Sequence, residues 1–72
     1  MLRSETDRVI DAMGHLADEQ RTVLVLREFV GCSYDEIGGI CELSRGAVKS
    51  KLYRARTELV KALAKDPSER DA

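Results

Sequence analysis

The last third of the chain contains a regular apolar stripe. Its members recur at steps of four, three, four and four residues: Val48, Leu52, Ala55, Leu59 and Leu63. Because an α-helix turns once in about 3.6 residues, this spacing places all of them on one side of a helix about four turns long. Ser44 is a suitable N-cap for this helix, and Pro67 is expected to end it. The stripe therefore defines the buried side of a long C-terminal helix.

Two further helices are predicted in the first thirty residues from their end signals. The first follows Ser4, with Asp7 at the reciprocal position of a capping box, and runs towards Gly14. The second begins near Asp18 and stops at Gly31. Its dense apolar set marks it as the central core helix: Val23, Leu24, Val25, Leu26, Phe29 and Val30.

Ser33 and Glu36 form a capping box for a short third helix, which a three-residue break separates from the long one. Its apolar positions are Tyr34, Ile37, Ile40 and Cys41. A short helix, a tight turn and a long basic helix are typical of a helix-turn-helix, although plain packing hairpins share this shape. The sequence thus predicts an all-α fold: a small four-helix domain over residues 1–66 with a C-terminal helix-turn-helix, and a disordered tail over 67–72.

Charge is divided unevenly along the 72 residues, although the formal net charge is only -1. Residues 1–44 carry nine acids and four bases, residues 45–65 carry seven bases and one acid, and residues 66–72 carry three acids and one base. Solvated helix faces normally mix signs, yet no acid lies between Ser44 and Thr57. The long helix is therefore predicted to present a cationic stripe to a polyanion such as nucleic acid.

The predicted contact face is the arc of this helix opposite the apolar stripe. At 100° per residue from Val48, the bearings between about 100° and 240° include those of Gly46, Lys49, Ser50, Tyr53 and Arg54. An exposed tyrosine has no packing reason there, whereas it suits a thymine methyl group or a sugar. Lys51 and Arg56 lie on the flanks, where they can reach phosphates or, equally well, stay solvated or pair with Glu58.

Other classes of function find little support in the sequence. Cys32, Cys41 and the lone His15 are too few for a structural zinc site, and both cysteines are interpreted as reduced apolar side chains. No catalytic constellation or phosphate-binding loop is visible, so neither an enzyme nor a cofactor or metal is expected. No apolar run approaches about 18 residues and no signal peptide is recognisable, which predicts a cytoplasmic protein without membrane contact.

The segment from Leu16 to about Leu63 resembles region 4 of bacterial RNA polymerase sigma factors of the extracytoplasmic-function group. The combination of LRE..G.SYDEI with S.GAVKSKLYRAR carries this resemblance. It implies a four-helix unit whose last two helices bind the promoter −35 element in the major groove of double-stranded DNA. It also implies binding to the flap of the polymerase β subunit and, in many members, to an anti-sigma factor.

The resemblance also implies roles for particular residues. It places the polar and aromatic residues of the exposed arc against the −35 bases and phosphates, in agreement with the helical wheel. It adds Arg27 of the LRE motif as a DNA contact, and Arg45 as a contact to a phosphate or a base. With the flanking cations included, the predicted DNA-binding residues are Arg27, Arg45, Lys49, Ser50, Lys51, Tyr53, Arg54 and Arg56.

The sequence departs from the family pattern at several positions. Gly38 stands where alanine usually packs on the recognition helix, and Gly39 follows it, each weakening the third helix by up to about 1 kcal/mol. Glu42 occupies a turn position that is often glycine because the backbone there is left-handed. Lys51 replaces a frequent arginine. No region 2 is visible, so an excised domain or a stand-alone relative is expected, and the start at Met1 favours excision.

Two alternatives stay open on the sequence. A response-regulator effector domain is similar through S.G.VK, although KLYRAR and LRE fit the sigma pattern better. A sigma mimic would engage an anti-sigma factor without touching DNA, but the retained Arg27, Lys49 and Arg54 argue against it. The acidic first half of the chain offers a surface for such protein contacts.

Overall fold

The computed structural model describes residues 4–65, which form four helices and no strand. The second helix continues directly into a π-helical segment. The elements in chain order are α1 (Glu5–Met13), α2 (Asp18–Val25) with its π segment (Leu26–Val30), α3 (Tyr34–Cys41) and α4 (Arg45–Ala64). The predicted all-α, four-helix architecture is therefore confirmed. The predicted tail over 67–72, including the helix stop at Pro67, lies outside the described residues.

Three of the helices begin at a serine cap. The hydroxyl of Ser4 accepts the N–H of Asp7 at 3.1 Å, and that of Ser44 accepts an N–H three residues later at 3.1 Å. At α3 the capping box is complete, because Ser33 Oγ accepts the Glu36 N–H at 3.1 Å while Ser33 N–H donates to Glu36 Oε1 at 2.7 Å. These bonds satisfy backbone donors that a helix leaves unpaired, and they set where each helix starts.

A left-handed residue lies on each side of α3. Gly31 ends the π segment with φ +88°, a conformation that glycine adopts without steric cost. Glu42 ends α3 with φ 57° and ψ 49°, and it is the only non-glycine residue among 4–65 with a positive φ. The left-handed conformation predicted for this turn position is therefore confirmed, at a cost of about 1 kcal/mol for a residue with a side chain.

The two adjacent glycines of α3 differ in their surroundings. A Cβ on buried Gly38 would lie 2.7 Å from the carbonyl oxygen of Leu43, whose N–H donates to the Gly38 carbonyl at 2.9 Å. A Cβ on exposed Gly39 would meet nothing within 4 Å. Gly38 therefore permits a close approach between α3 and the following turn, whereas Gly39 only lowers the helix propensity.

The core lies where α4 crosses the earlier helices. Val48, Leu52 and Ala55 are fully enclosed, as the apolar stripe predicts, while Leu59 and Leu63 are half-buried. The other helices and their connections contribute the remaining large buried side chains: Met13, Leu16, Val23, Leu24 and Ile37. Within residues 4–65, none of the helices combines the length and hydropathy that a bilayer span requires.

Three residues assigned to the apolar pattern are in fact exposed. Phe29 is 61% exposed and Val30 is 64% exposed, so their assignment to the core of the second helix is wrong. The Gly31 N–H donates to the Leu26 carbonyl five residues back, and this wider turn shifts the phase of the segment away from the core. Ile40 is 61% exposed because Gly38, rather than Ile40, shares the buried side of α3 with its neighbour Ile37.

Candidate nucleic-acid interface

The side of α4 opposite the core is exposed over three turns. All five residues of the predicted arc are exposed: Gly46, Lys49, Ser50, Tyr53 and Arg54. Tyr53 is 73% exposed, and with Arg54 it borders a shallow groove that Gln20 of α2 completes. The exposure that the helical wheel predicted is therefore confirmed, while contact of these residues with DNA stays a prediction.

Two cations of this face have no carboxylate partner in the described part of the chain. Within residues 4–65, neither Lys49 nor Arg54 forms an ion pair with an acid. The first turn of α4 contains no acid, so no carboxylate there offsets the positive end of the helix dipole. The exposed face is thus positive at its N-terminal end and is open to an anion.

Three other predicted contacts are held by acids of earlier helices. The pairs are Arg45 with Asp35, Lys51 with Glu19, and Arg56 with Glu28. The N···O distances are 3.1 Å for Arg45 and 2.6 Å for Arg56. The suggested pairing of the flanking cations with Glu58 is wrong, because Glu58 pairs with Lys61 at 3.4 Å. Exposed pairs of this kind contribute about 0–1 kcal/mol, so a phosphate can replace the carboxylate.

Arg56 is the flanking cation whose pKa is raised by its carboxylate partner. Its hydrogen bond to Glu28 raises the pKa of Arg56 above its ordinary value, whereas partial burial lowers it. The charge of Glu28 and the side chain of Tyr34 raise the pKa of Arg56 further. Arg56 therefore stays protonated and ties α4 to the π segment that carries Glu28.

Arg27 projects from the π segment towards the start of α3. Its Nη1 donates to the carbonyl oxygen of Cys32 at 2.9 Å, and its Cζ lies 4.7 Å from the centroid of the Tyr34 ring. The side chain is half-buried rather than free at the surface. The Cys32 carbonyl and the Tyr34 ring therefore hold the Arg27 guanidinium from two sides.

The ring of Tyr34 brings Arg27 together with two cations of α4. Arg45 Cζ lies 5.4 Å from the ring centroid, and Lys49 Nζ lies 5.9 Å from it. Three predicted DNA-binding residues thus surround Tyr34, which the sequence predicted only as an apolar position of α3. The spacing offered no signal that distinguished Tyr34 from Ile37, because these contacts join residues that are distant in the chain.

The described part of the chain contains no group of three or more His, Cys, Asp or Glu side chains able to hold a metal ion. Cys32 and Cys41 are free thiols and both are half-buried, and each packs against the core. Their interpretation as small apolar side chains agrees with these positions.

Most of the chain matches a known protein family. The profile of the family described as "Sigma-70, region 4" matches residues 6–59. The RNA polymerase sigma-H factor of Pseudomonas aeruginosa is 39% identical over 64 residues, which cover 88% of this chain and 33% of that protein. The RNA polymerase sigma factor YlaC of Bacillus subtilis is 41% identical over 68 residues, 94% of this chain and 38% of its own.

The name of a third relative includes the abbreviation ECF, for extracytoplasmic function. The ECF RNA polymerase sigma-E factor of Haemophilus influenzae is 39% identical over 57 residues, which cover 78% of this chain and 30% of that protein. The chain spans about a third of the length of these relatives. Because the family profile covers most of the chain and these relatives share its helix-turn-helix segment, the chain belongs to the sigma-70 region 4 family, as region 4 of an extracytoplasmic-function sigma factor.

Proposed function

We propose that this domain binds the promoter −35 element through the exposed face of α4 and thereby directs RNA polymerase to initiate transcription. The observation that carries the proposal is the acid-free face on which Tyr53 is 73% exposed and neither Lys49 nor Arg54 has an ion pair with any residue of 4–65. A major groove about 12 Å wide admits one α-helix, and a helix-turn-helix inserts its second helix there.

The first turn of α4 suits a close approach to the duplex. A Cβ on Gly46 would meet no protein atom within 4 Å, so packing within the protein does not require glycine here. The missing side chain instead leaves room on the face that meets the groove. Free backbone N–H groups at the N-terminus of a helix attract phosphate. We therefore assign this end of α4 to the DNA backbone and the following two turns to bases and phosphates.

The remaining residues of the face have roles that follow from their chemistry. Ser50 and Arg54 can hydrogen-bond to bases or phosphates, and Tyr53 offers a ring to a thymine methyl group or a sugar. Lys49 and Arg27 neutralise phosphates directly. Arg45, Lys51 and Arg56 contribute only after their carboxylates are exchanged for phosphate, since each is already paired.

Fluorescence anisotropy with a −35 duplex pool at several salt concentrations tests this proposal. With about five phosphates neutralised, log K is expected to fall with log salt at a slope of about −4 to −5. Lys49→Ala and Arg54→Ala should each weaken binding about tenfold, equivalent to about 1.4 kcal/mol. Lys65→Ala is the control, because Lys65 is an exposed cation at the C-terminal end of α4, about three turns beyond Arg54. A flat salt response, or equal effects of all three changes, would contradict the proposal.

Protein contacts are a second candidate function, which one observation favours. Phe29, Val30 and Ile40 expose apolar side chains that lie outside α4. Phe29 and Val30 are adjacent in the chain, and contiguous exposed apolar surface is typical of protein-binding sites. We propose that they contribute to binding of the polymerase β-subunit flap or of an anti-sigma factor, as the family implies.

The same titration separates the remaining alternatives. A sigma mimic would bind a protein partner while showing no affinity for any duplex, whereas a DNA-binding domain shows salt-dependent affinity on its own. The family match decides against the response-regulator alternative. An enzymatic role has no support in the family to which the chain belongs.

A further inference from the structure

Three cations from two parts of the chain lie around the Tyr34 ring. Arg27 of the π segment is nearest, at 4.7 Å from the centroid, followed by Arg45 at 5.4 Å and Lys49 at 5.9 Å, both of α4. All three distances are within the range of about 6 Å over which a cation is attracted to an aromatic face. The ring therefore collects positive charge from elements that the chain otherwise separates.

Like charges this close repel one another, so their proximity needs compensation. Arg45 has the carboxylate of Asp35 at 3.1 Å, and Arg27 has the Cys32 carbonyl at 2.9 Å. Lys49 has no ion pair within residues 4–65, so the ring is the only compensating group that the structure gives it. The side chain of Tyr34 also interacts with Arg56, which pairs with Glu28 at 2.6 Å, so four cations around the ring face two carboxylates. The cluster therefore keeps a net positive charge, which is the local charge that a phosphate requires.

The ring itself is held by the architecture of α3. Tyr34 is the first residue of α3 and lies between Ser33 and Glu36, the two members of the capping box. Its side chain is half-buried and packs against the core. Because both its backbone and its ring are fixed, Tyr34 is a rigid surface against which flexible cations can order.

We propose that Tyr34 is a positioning residue that orders Arg27, Arg45 and Lys49 into one phosphate-binding cluster before DNA arrives. This inference rests on the proposed DNA-binding function and names a residue through which that function acts. Long cationic side chains lose rotamer freedom when they bind a ligand, and a ring that orders them beforehand removes part of that cost. The phosphate then meets Arg27 and Lys49 together, with Arg45 beside them to join once it exchanges Asp35 for phosphate.

Two substitutions separate the aromatic face from simple apolar bulk. Tyr34→Phe keeps the ring and should bind the −35 duplex within about twofold of wild type. Tyr34→Leu keeps an apolar side chain but removes the aromatic face, and should bind about tenfold more weakly. Its salt slope should also become shallower by about one unit, because fewer phosphates are neutralised. Circular dichroism at the titration temperature verifies that each variant is folded.

Double-mutant cycles distinguish positioning from a merely structural role. Lys49→Ala should cost less in the Tyr34→Leu background than in wild type, because Lys49 is then no longer ordered. Arg54→Ala should cost the same in both backgrounds, since Arg54 makes no contact with the ring. A Tyr34→Leu variant with the wild-type salt slope and additive effects of both changes would overturn the inference.

A measurement on the unaltered protein keeps the proposal testable if Tyr34→Leu does not fold. The Nε–Hε proton of Arg27 should resonate upfield of that of Arg54, because it lies over an aromatic ring, and Tyr34→Phe should preserve this shift. Equal shifts for Arg27 and Arg54 would overturn the inference. If wild type binds no duplex, the proposed function fails first; if wild type binds but the cycle is additive, only the positioning role fails.

Discussion

The carbonyl oxygen of Leu43 lies 2.7 Å from the position that a Cβ atom on Gly38 would occupy, so the turn after α3 closes directly onto a glycine. Alanine is the residue that the family resemblance leads one to expect at this position. The neighbouring Gly39, in the same helix, has open space around it. This pair of glycines provides a matched test of how the helix-turn-helix is packed.

Gly38→Ala should lower the stability of the domain, although alanine favours a helix. The added methyl group forces the turn to shift, which costs about 1–3 kcal/mol, while the gain in helix propensity is about 1 kcal/mol. Gly39→Ala should instead raise the free energy of unfolding by about 0.5–1 kcal/mol. Urea unfolding followed by circular dichroism measures both changes. Stabilisation by both substitutions would mean that the turn relaxes around the methyl group without cost.

Glu42→Gly should stabilise the domain because Glu42 ends α3 in a left-handed conformation, with φ 57°. Glycine adopts this conformation without the clash of a Cβ atom, so a gain of about 1 kcal/mol is expected in thermal or urea unfolding. Glu42→Ala removes the same charge but keeps the Cβ atom, and should give no such gain. Equal gains from the two substitutions would attribute the effect to charge.

Asp35→Asn should strengthen DNA binding because Asp35 competes with phosphate for Arg45, at 3.1 Å. With Arg45 released, the affinity is expected to rise about threefold and the salt slope to steepen by about one unit. Glu5→Gln removes the same charge from an exposed residue of α1 and serves as the control. If both changes strengthen binding equally, only the net charge of the domain matters.

Acidification should weaken the start of α3 through Glu36. Hydrogen bonds from the backbone N–H of Ser33 and, to a smaller extent, from its hydroxyl lower the pKa of Glu36. They outweigh a small opposing effect of burial. The folded-state pKa of Glu36 is therefore below its unfolded-state pKa. The stability that the ionised carboxylate contributes is complete above the ordinary pKa of about 4.3 and is lost as the pH falls through the folded-state pKa. Melting temperatures between pH 7 and pH 3 should therefore fall less steeply for Glu36→Gln than for wild type. Parallel curves would contradict a role for the capping box.

Much of the fold was predictable because its signals are local. Ser33, Ser44 and the apolar stripe from Val48 act over three or four residues, the range over which helix caps and helical periodicity operate. The exposed arc of α4 followed from the same periodicity. The left-handed turn at Glu42 was also predictable, since it depends on the geometry of a helix end.

Other features depended on tertiary structure. The sequence could not predict that Phe29 and Val30 are exposed, because their phase depends on the wider π turn after Leu26. It could not predict that Glu19 holds Lys51, because the two residues meet only once α2 crosses α4.

The candidate site also has features that the sequence determined and features that only the tertiary structure decided. The amino-acid sequence by itself determined that α4 carries a cationic, acid-free face, since charge along one helix follows from helical geometry alone. Only the folded chain decided which of those cations are neutralised and that Arg27, Arg45 and Lys49 meet at Tyr34. The physical reason is that cation–ring contacts and ion pairs are short-range interactions between side chains, and packing of the core, not spacing in the chain, brings those side chains within reach.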